Sequence, residues 1–579
     1  MKHLFSISLL FIFALITLQA QTKAFPTAEG FGCMATGGRG GVVIEVTNLV
    51  DDASGATVGS LRWALNQSKT EPATIVFRVG GTIKLVADLR STRTYGTTIA
   101  GQTAPAPGIT IRGHKTNLGG SVNLVVRNMR FRIGLDGDTA FVAGGSVGIE
   151  NAGRFIFDHC EFGWSGEENM TMYDDTVSTV QWSILHEGLY ASGHAKGARS
   201  YGCQWGGQKI TFHHNLLAHN YTRSPRFNGA RSNDRNVMID FVNNVNYNWG
   251  KSNSCYGSDF DGSGLTNKCN MVNNYYKPGP ARTGTNQSYF TAASYNALGG
   301  TSKIPVFYMS GNFMEGSANT VNNADNTVGL DASAYSFTAK TNLISTTPFP
   351  VVYPVVTESA ADAYNSVLNH AGTLPRDTTS RRIINEVRTG TASGRGTSQR
   401  YLNSDGTTYS TSGFYNVVKG IIDNPSLAFG AEIAYPSTST TTTVVDADHD
   451  GMDDAWELSK GLDPSNANDR NTLAPSGYTA LEVYLNSLMG EEIPFSTVLK
   501  KNTNSLEIGF YPNPVNDQIN LISPEAVRSY AVRDLSGKGL QQGKESGLIN
   551  ISVRSLKAGM YLLSLETESG NRCTLKFTK

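Results

Sequence analysis

The sequence predicts an all-β chain: a parallel β-helix followed by a small C-terminal β-sandwich. Three observations carry that expectation. First, the 579 residues include 61 glycines and only 17% charged residues, a composition of turns and short strands rather than long surface helices. Second, short apolar runs rich in β-branched and aromatic residues recur: LVVRNMRF (124–131), FIFDHCEF (155–162), TVQWSILH (179–186), ITFHHNLL (210–217), DFVNNVNY (240–247) and NMVNNYYK (270–277). Third, their fifth residues, Asn128, His159, Ser183, His214, Asn244 and Asn274, follow one another at intervals of 31, 24, 31, 30 and 30 residues. One strand run every two to three dozen residues, with loops of varying length between, marks a β solenoid. Each coil hydrogen-bonds to the next and adds to one continuous core. A propeller is the alternative fold, but its blades need four strands per repeat.

The elements follow in chain order. Residues 1–20 have a basic start, an apolar run and a small residue at Ala20, the pattern of a secretory signal peptide cut near Gln21. The alternative, a retained membrane anchor, has too short an apolar run for a bilayer. The glycine-dense stretch 25–41 matches no phosphate-binding pattern and suits turns or capping. Residues 59–65 (GSLRWAL) read as a short helix, and 73–85 (ATIVFRVGGTIKL) as two strands around a Gly-Gly turn. The repeated Asn, His and Ser side chains suit corners that hydrogen-bond along the stack, so His159, His214, Asn244 and Asn274 read as structural. Residues 346–356 are Pro-rich and extended along the outside, and 380–387 read as a short helix. Six cysteines in so long a chain form no disulfide scaffold; Cys255 and Cys269, either side of a polar loop, are the pair to expect bridged. Net formal charge is zero, so no basic field points to nucleic acid.

Residues 436–445 (PSTSTTTTVV) form a low-complexity linker and a domain boundary. Directly after it, DADHDGMDDAWE (446–457) fits the D-x-D-x-D-G-x₅-E pattern of a calcium loop. Asp446, Asp448, Asp450 and Asp454 supply oxygens, Met452 its carbonyl, Gly451 the turn and Glu457 a bidentate carboxylate. The domains expected are a signal peptide (1–20), a β-helix (21–435), the linker (436–445), a calcium-loop segment (446–495) and the C-terminal β-sandwich (505–579).

Charged residues outside the repeat are the informative ones. Glu167 and Glu168 follow one strand run; His194 and Lys196 precede the 210–217 run, and Arg223 and Arg226 follow it. Glu168, Lys196 and Arg223 lie about one repeat apart and can sit on adjacent coils. Carboxylates that hold a bridging Ca²⁺, beside cations that clamp carboxylates, suit a polyanionic sugar.

The stretch 25–41, AGQTAPAPGITIRG (100–113), DHCEFGWSGEE, HAKGA and FHHNLLAHNYTRSPRFNG together resemble the secreted pectate lyases of polysaccharide lyase family one, over roughly 25–434. The resemblance implies a right-handed parallel β-helix and calcium-dependent β-elimination of α-1,4-polygalacturonate, leaving a 4,5-unsaturated end. It places the base on Arg223, the first arginine of R-x-P-R, and uronate binding on Lys196, with Arg226 and His194 as further substrate-side residues. It places calcium binding on Glu167, with Glu168 beside it. Departures are Asn228 where a further arginine is usual, Gly145-Ser146 where an aspartate is usual and Thr171 in place of a carboxylate; Asp136 and Asp138 are possible substitutes. YPNP (511–514), AGMYLLSL (558–565) and terminal Lys579 resemble the sorting domain of type nine secretion, which implies export to the surface or medium. The expected partners are pectate and the bacterial secretion machinery, for a monomeric enzyme with Ca²⁺ as cofactor. Two alternatives remain: a polygalacturonase on the same fold, needing paired carboxylates such as Asp174-Asp175, and a non-catalytic polysaccharide-binding β-helix.

Overall fold

In the computed structural model, the described residues are 22–134, 145–282, 289–316, 324–396, 419–429, 435, 439–495 and 508–579, apart from Gly193, Ala195, Ser232, Ser252, Ser536 and Asn571. The expected signal peptide and the possible substitutes Asp136 and Asp138 lie outside them. The chain divides into two compact units, residues 1–495 and 496–579.

Three long sheets form the walls of the first unit, and consecutive strands within a sheet belong to successive coils. All pairings among these coils are parallel, which excludes a propeller. Register aligns the core: Val126, Phe157, Val180, Phe212, Phe241, Met271 and Met309 stack in one column, all of them buried. Each large side chain so buried contributes about 1.5–3 kcal/mol.

A polar ladder runs beside this column. The Ser183 N–H donates to Asn215 Oδ1 at 3.0 Å, Asn215 N–H to Asn244 Oδ1 at 3.0 Å, and Asn244 N–H to Asn274 Oδ1 at 2.9 Å. Asn274 N–H then donates to Asn312 at 3.1 Å. The residue before each rung is left-handed: Trp182 (φ 48°), His214 (53°), Asn243 (53°) and Asn273 (53°), as are Asn128 (59°) and His159 (51°) on earlier coils. The fifth residues of the sequence runs therefore fall into two adjacent columns. Asn128, His159 and His214 bend the chain; Ser183, Asn244 and Asn274 are rungs. The run frames slip by one residue because both positions favour Asn, which tolerates the left-handed region and bonds its neighbours.

Some local expectations shift. The helix is Leu61–Gln67, capped by Ser60. The strands are Ala73–Phe77 and Val79–Lys84, so Gly80-Gly81 lie inside a strand and the corner is at Arg78. At Gly80 a Cβ would stand 2.1 Å from the Pro105 carbonyl oxygen, so close backbone approach, not a turn, selects the glycine. The glycine-dense stretch forms a short 3₁₀ turn, Phe31–Met34, whose Gly32 N–H donates to Thr179 Oγ1 at 2.9 Å. Cys255 and Cys269 are free and buried. Their strands, Cys255–Gly257 and Thr266–Val272, belong to different walls, and both thiols pack in the core.

Two helices, Ala360–His370 and Thr378–Thr389, cover a wall through Val367, Leu368, Ile383 and Val387. Within the expected linker, Thr440–Thr441 pairs antiparallel with Val79 and Gly80, and the segment after it packs on the β-helix as part of the same unit. The second unit has a three-stranded and a four-stranded antiparallel sheet, with Ile519, Val532, Ile551, Leu563 and Phe577 between them.

Asn244→Ala strips one rung and leaves the Asn215 N–H without its acceptor. The expected loss is about 2 kcal/mol, read as a lower urea midpoint for the first unit; an unchanged midpoint would show that the ladder adds nothing to stability.

Candidate active site

One wall carries most of the singled-out charges: Glu168–Tyr173, Tyr201–Trp205, Arg226–Phe227 and Cys255–Gly257 lie side by side. Alternate residues Met170, Cys203, Trp205 and Phe227 enter the core. Register aligns Thr171, Gln204, Arg226 and Tyr256 in one row across four coils.

Arg223 stands in the loop before Arg226–Phe227, in a left-handed conformation (φ 59°). Its Nη1 pairs with Glu168, two coils back, and donates to Gln204 Oε1 at 3.1 Å. The guanidinium lies 4.1 Å over the centre of the Tyr201 ring. Burial pulls its pKa below the ordinary arginine value; Tyr256 opposes the shift, and the charge of Arg226 adds to it. Glu168 is buried and Glu167 beside it is half-buried.

His194 is buried in the loop before Tyr201–Trp205. Its Nδ1 accepts the Lys196 N–H at 3.0 Å and lies 3.4 Å from Arg199 Nε. Its Nε2 stands 3.7 Å from Glu167. Burial, then the Arg199 charge, pull the His194 pKa down, which suits a neutral ring accepting at Nδ1. The Lys196 side chain is exposed, and among the described residues no carboxylate pairs with it. Arg226 faces Asp259 at 3.4 Å, an acid shared with Arg231 at 3.2 Å. The structure thus brings Glu168 to Arg223 and Glu167 to His194, and leaves the Lys196 ammonium in solvent.

Sequence reasoning missed Gln204, Tyr201, Asp259 and Asp234. Gln204 had a signal, since alternation in YGCQW turns it away from the core residues Cys203 and Trp205. It links Arg223 inward: Gln204 Nε2 donates to Asn228 Oδ1 at 3.0 Å, and Asn228 Nδ2 to Asp234 Oδ2 at 3.3 Å. Burial pushes the Asp234 carboxyl up to about 7.

The oxygen donors suit a hard cation. Beside the wall, Glu167 and Glu168 are adjacent carboxylates, Glu168 paired with Arg223 and Glu167 3.7 Å from His194. In the loop, ligand atoms of Asp446, Asp448 and Asp450 lie within 4.8 Å of one another, as do those of Asp450, Glu457 and Asp469. Asp454 turns elsewhere: its Oδ1 accepts the Ala447 N–H at 2.9 Å. Burial and neighbouring acids push Asp450 up to about 7 and Glu457 to about 8. Glu457 Oε1 and Oε2 and Asp450 Oδ2 have no hydrogen-bond partner, so the loop fits a calcium ion.

Residues 509–578 match the family described as secretion system C-terminal sorting domain. The probable pectate lyase C of Neosartorya fischeri is 32% identical over 471 residues, 80% of this chain and 94% of that protein. The Aspergillus flavus protein of the same name is 29% identical over 485 residues, covering 83% and 98%. Among solved structures, the cedar pollen allergen jun a 1 is similar at 14% identity and a TM-score of 0.43, covering 60% of this chain and 93% of that one.

Asp234 yields a pH signature. Its folded pKa lies near 7, above the ordinary aspartate value, so the folded state holds a proton that the unfolded chain has lost. Its contribution to stability is full below about pH 4 and falls until about pH 7. Asp234→Asn should therefore raise the melting temperature relative to wild type more at pH 8 than at pH 5. A gap that is the same at both pH values would refute the assignment.

Proposed function

The chain belongs to the pectate lyase family, and from that premise we propose that its groove cleaves α-1,4-polygalacturonate by β-elimination to 4,5-unsaturated oligogalacturonates. The protein is a polysaccharide lyase, and its sorting domain marks it for export. The observation that carries the substrate reading is Arg223, a half-buried guanidinium beside the wall of Glu168–Tyr173 and Tyr201–Trp205, with a lowered pKa and paired with Glu168.

In this reading Arg223 takes the C5 proton of a uronate at one of its Nη atoms. The C–H electrons form the C4–C5 double bond, the C4–O4 bond breaks, and the leaving oxygen takes a proton from solvent. A general base usually titrates near the working pH; the lowered pKa of Arg223 moves it toward that range. Lys196, free in solvent, reaches the uronate carboxylate, and Arg226 binds a neighbouring one. His194 acts through the chain, holding the Lys196 backbone N–H. Glu167 and Glu168 would hold a calcium ion that, when bound, neutralises the uronate carboxylate and acidifies C5–H. Asp446, Asp448, Asp450 and Glu457 would hold a second. The enzyme acts as a monomer.

The hydrolase alternative needs two carboxylates flanking the bond. Asp175 is fully buried and its Oδ1 accepts the Ala152 N–H at 2.8 Å, so Asp174-Asp175 does not supply the pair. The non-catalytic alternative is separated by turnover.

With polygalacturonate and Ca²⁺, ultraviolet absorbance of the conjugated product should rise, and chelator should stop it. Arg223→Ala should lower kcat by about 10²–10⁴-fold, with folding checked by circular dichroism. The rate should rise toward alkaline pH as Arg223 loses its proton. Binding without absorbance would favour the non-catalytic alternative, and undiminished elimination in Arg223→Lys would remove Arg223 as the base.

A further inference from the structure

We propose that the calcium loop is a staple for the β-helix: one Ca²⁺ held by Asp446, Asp448, Asp450, Glu457 and Asp469 fastens the segment 440–495 across the first coils. The proposal rests on the calcium reading of the loop, and adds a ligand from outside the motif and a role distinct from elimination.

Asp450 belongs to both three-acid groups and so joins them. Asp450 and Glu457 are fully buried, yet both Glu457 oxygens and Asp450 Oδ2 have no hydrogen-bond partner, nor do the two oxygens of Asp448. Buried carboxylates without partners are costly unless a cation compensates them. An all-carboxylate set favours Ca²⁺ over Mg²⁺, which keeps several of its waters. Gly451 (φ 99°) supplies the sharp turn. Asp469, twelve residues beyond Glu457 in the sequence, is held by the Asp463 N–H, which donates to its Oδ2 at 2.8 Å. The ion thus joins the loop to a second piece of chain.

The same acids reach the β-helix. Asp446 pairs with Arg78, at the corner between Ala73–Phe77 and Val79–Lys84. Arg78 Nε also donates to Glu45 Oε1 at 2.6 Å, and Glu45 Oε2 lies 3.0 Å from His449 Nδ1 inside the loop. Below, Met452 is buried with Ala100, Leu481, Tyr484 and Leu485. Further along, Arg127 donates to Asn486 Oδ1 at 2.9 Å and Glu491 Oε1 at 2.7 Å, and Arg39 Nε to Glu482 Oε1 at 2.8 Å. With the loop carboxylates repelling one another, Asp446 and Met452 lose the geometry that docks them. With Ca²⁺ bound, the docked form is the stable one, because the ion binds the folded site alone.

The test uses the full chain stripped with chelator, with two readouts that do not involve elimination: terbium emission sensitised by Trp456, beside Glu457, and thermal unfolding on adding Ca²⁺. Wild type and Asp454→Asn should bind alike and gain about 3 °C at a hundredfold excess over Kd. Asp469→Asn should bind about tenfold more weakly, since ligand charge sets affinity. Arg78→Gln should still give Trp456-sensitised emission but lose most of the thermal gain. Wild-type binding by Asp469→Asn would overturn the fifth ligand. Binding without any thermal gain in wild type would overturn the staple. If wild type gives no Trp456-sensitised emission, the calcium reading of the loop itself fails, whatever the lyase assay of the groove shows.

Discussion

A coil in this protein satisfies its backbone only through the coils on either side. Each N–H and C=O in the parallel walls finds its partner about one repeat away in sequence, and a buried strand that missed its partner would carry an uncompensated polar group for every residue. Every coil must therefore pass the same three walls at the same height. That requirement fixes the column from Val126 to Met309 and the rungs from Ser183 to Asn312. It leaves the connections between walls unconstrained, and several charged residues of the candidate site lie there. His194 and Lys196 belong to one such loop and Arg223 to another. The rigid walls bring Glu168 to Arg223 across 55 residues of sequence.

The same constraint leaves the outer coils with unsatisfied edges and an uncovered wall, and the chain covers them with its own later segments. Thr440–Thr441 adds a strand beside Val79 and Gly80. Residues 373–380 bind across another wall, where Arg132 pairs with Glu161 and Asp377, and Thr373 N–H donates to Glu161 at 3.1 Å. Burial alone would favour the neutral forms, yet Asp377 and Glu161 are pulled down and Arg132 pushed up by their mutual attraction. Such a network is costly to break from one side, which makes it a specific latch for the covering helices.

How much of this was legible depended on the range of the interaction. The strand runs were, because side chains that fill a column are β-branched or aromatic whatever the loop lengths. The column of Asn and His was read one residue out of frame at half its positions, because bend and rung accept the same residue types. Cys255 and Cys269 looked like a pair because a polar loop separates them; only the three-walled cross-section puts them on different walls. In the calcium loop, motif spacing supplied Asp446, Asp448, Asp450 and Glu457. It also offered Asp454, which the fold turns toward Ala447, and it could not supply Asp469, whose place depends on the turn after the helix Asp454–Lys460. In the groove, Arg223 and Glu168 were legible as unpaired charges. Tyr201, Asp259 and Asp234 were not, since their places depend on register between coils.

Register also bears on the hardest point of the proposed chemistry, a guanidinium acting as a base. Two features of the site hold the proton on Arg223: the Glu168 carboxylate and the Tyr201 ring beneath it. Two work against it: burial and the like charge of Arg226. The second pair prevails, over the opposing effect of Tyr256 as well, while Glu168 stands at direct contact with the guanidinium and so acts as a brake on proton loss. Glu168 is also one of the two acids proposed to hold a divalent cation. A cation held there would compete with Arg223 for the same carboxylate and would weaken the brake on proton loss. In the proposed reaction, the acid that fixes the guanidinium before substrate binds would then be the one whose recruitment frees it, so that a calcium requirement and an arginine base would share one origin in the Glu168–Arg223 pair.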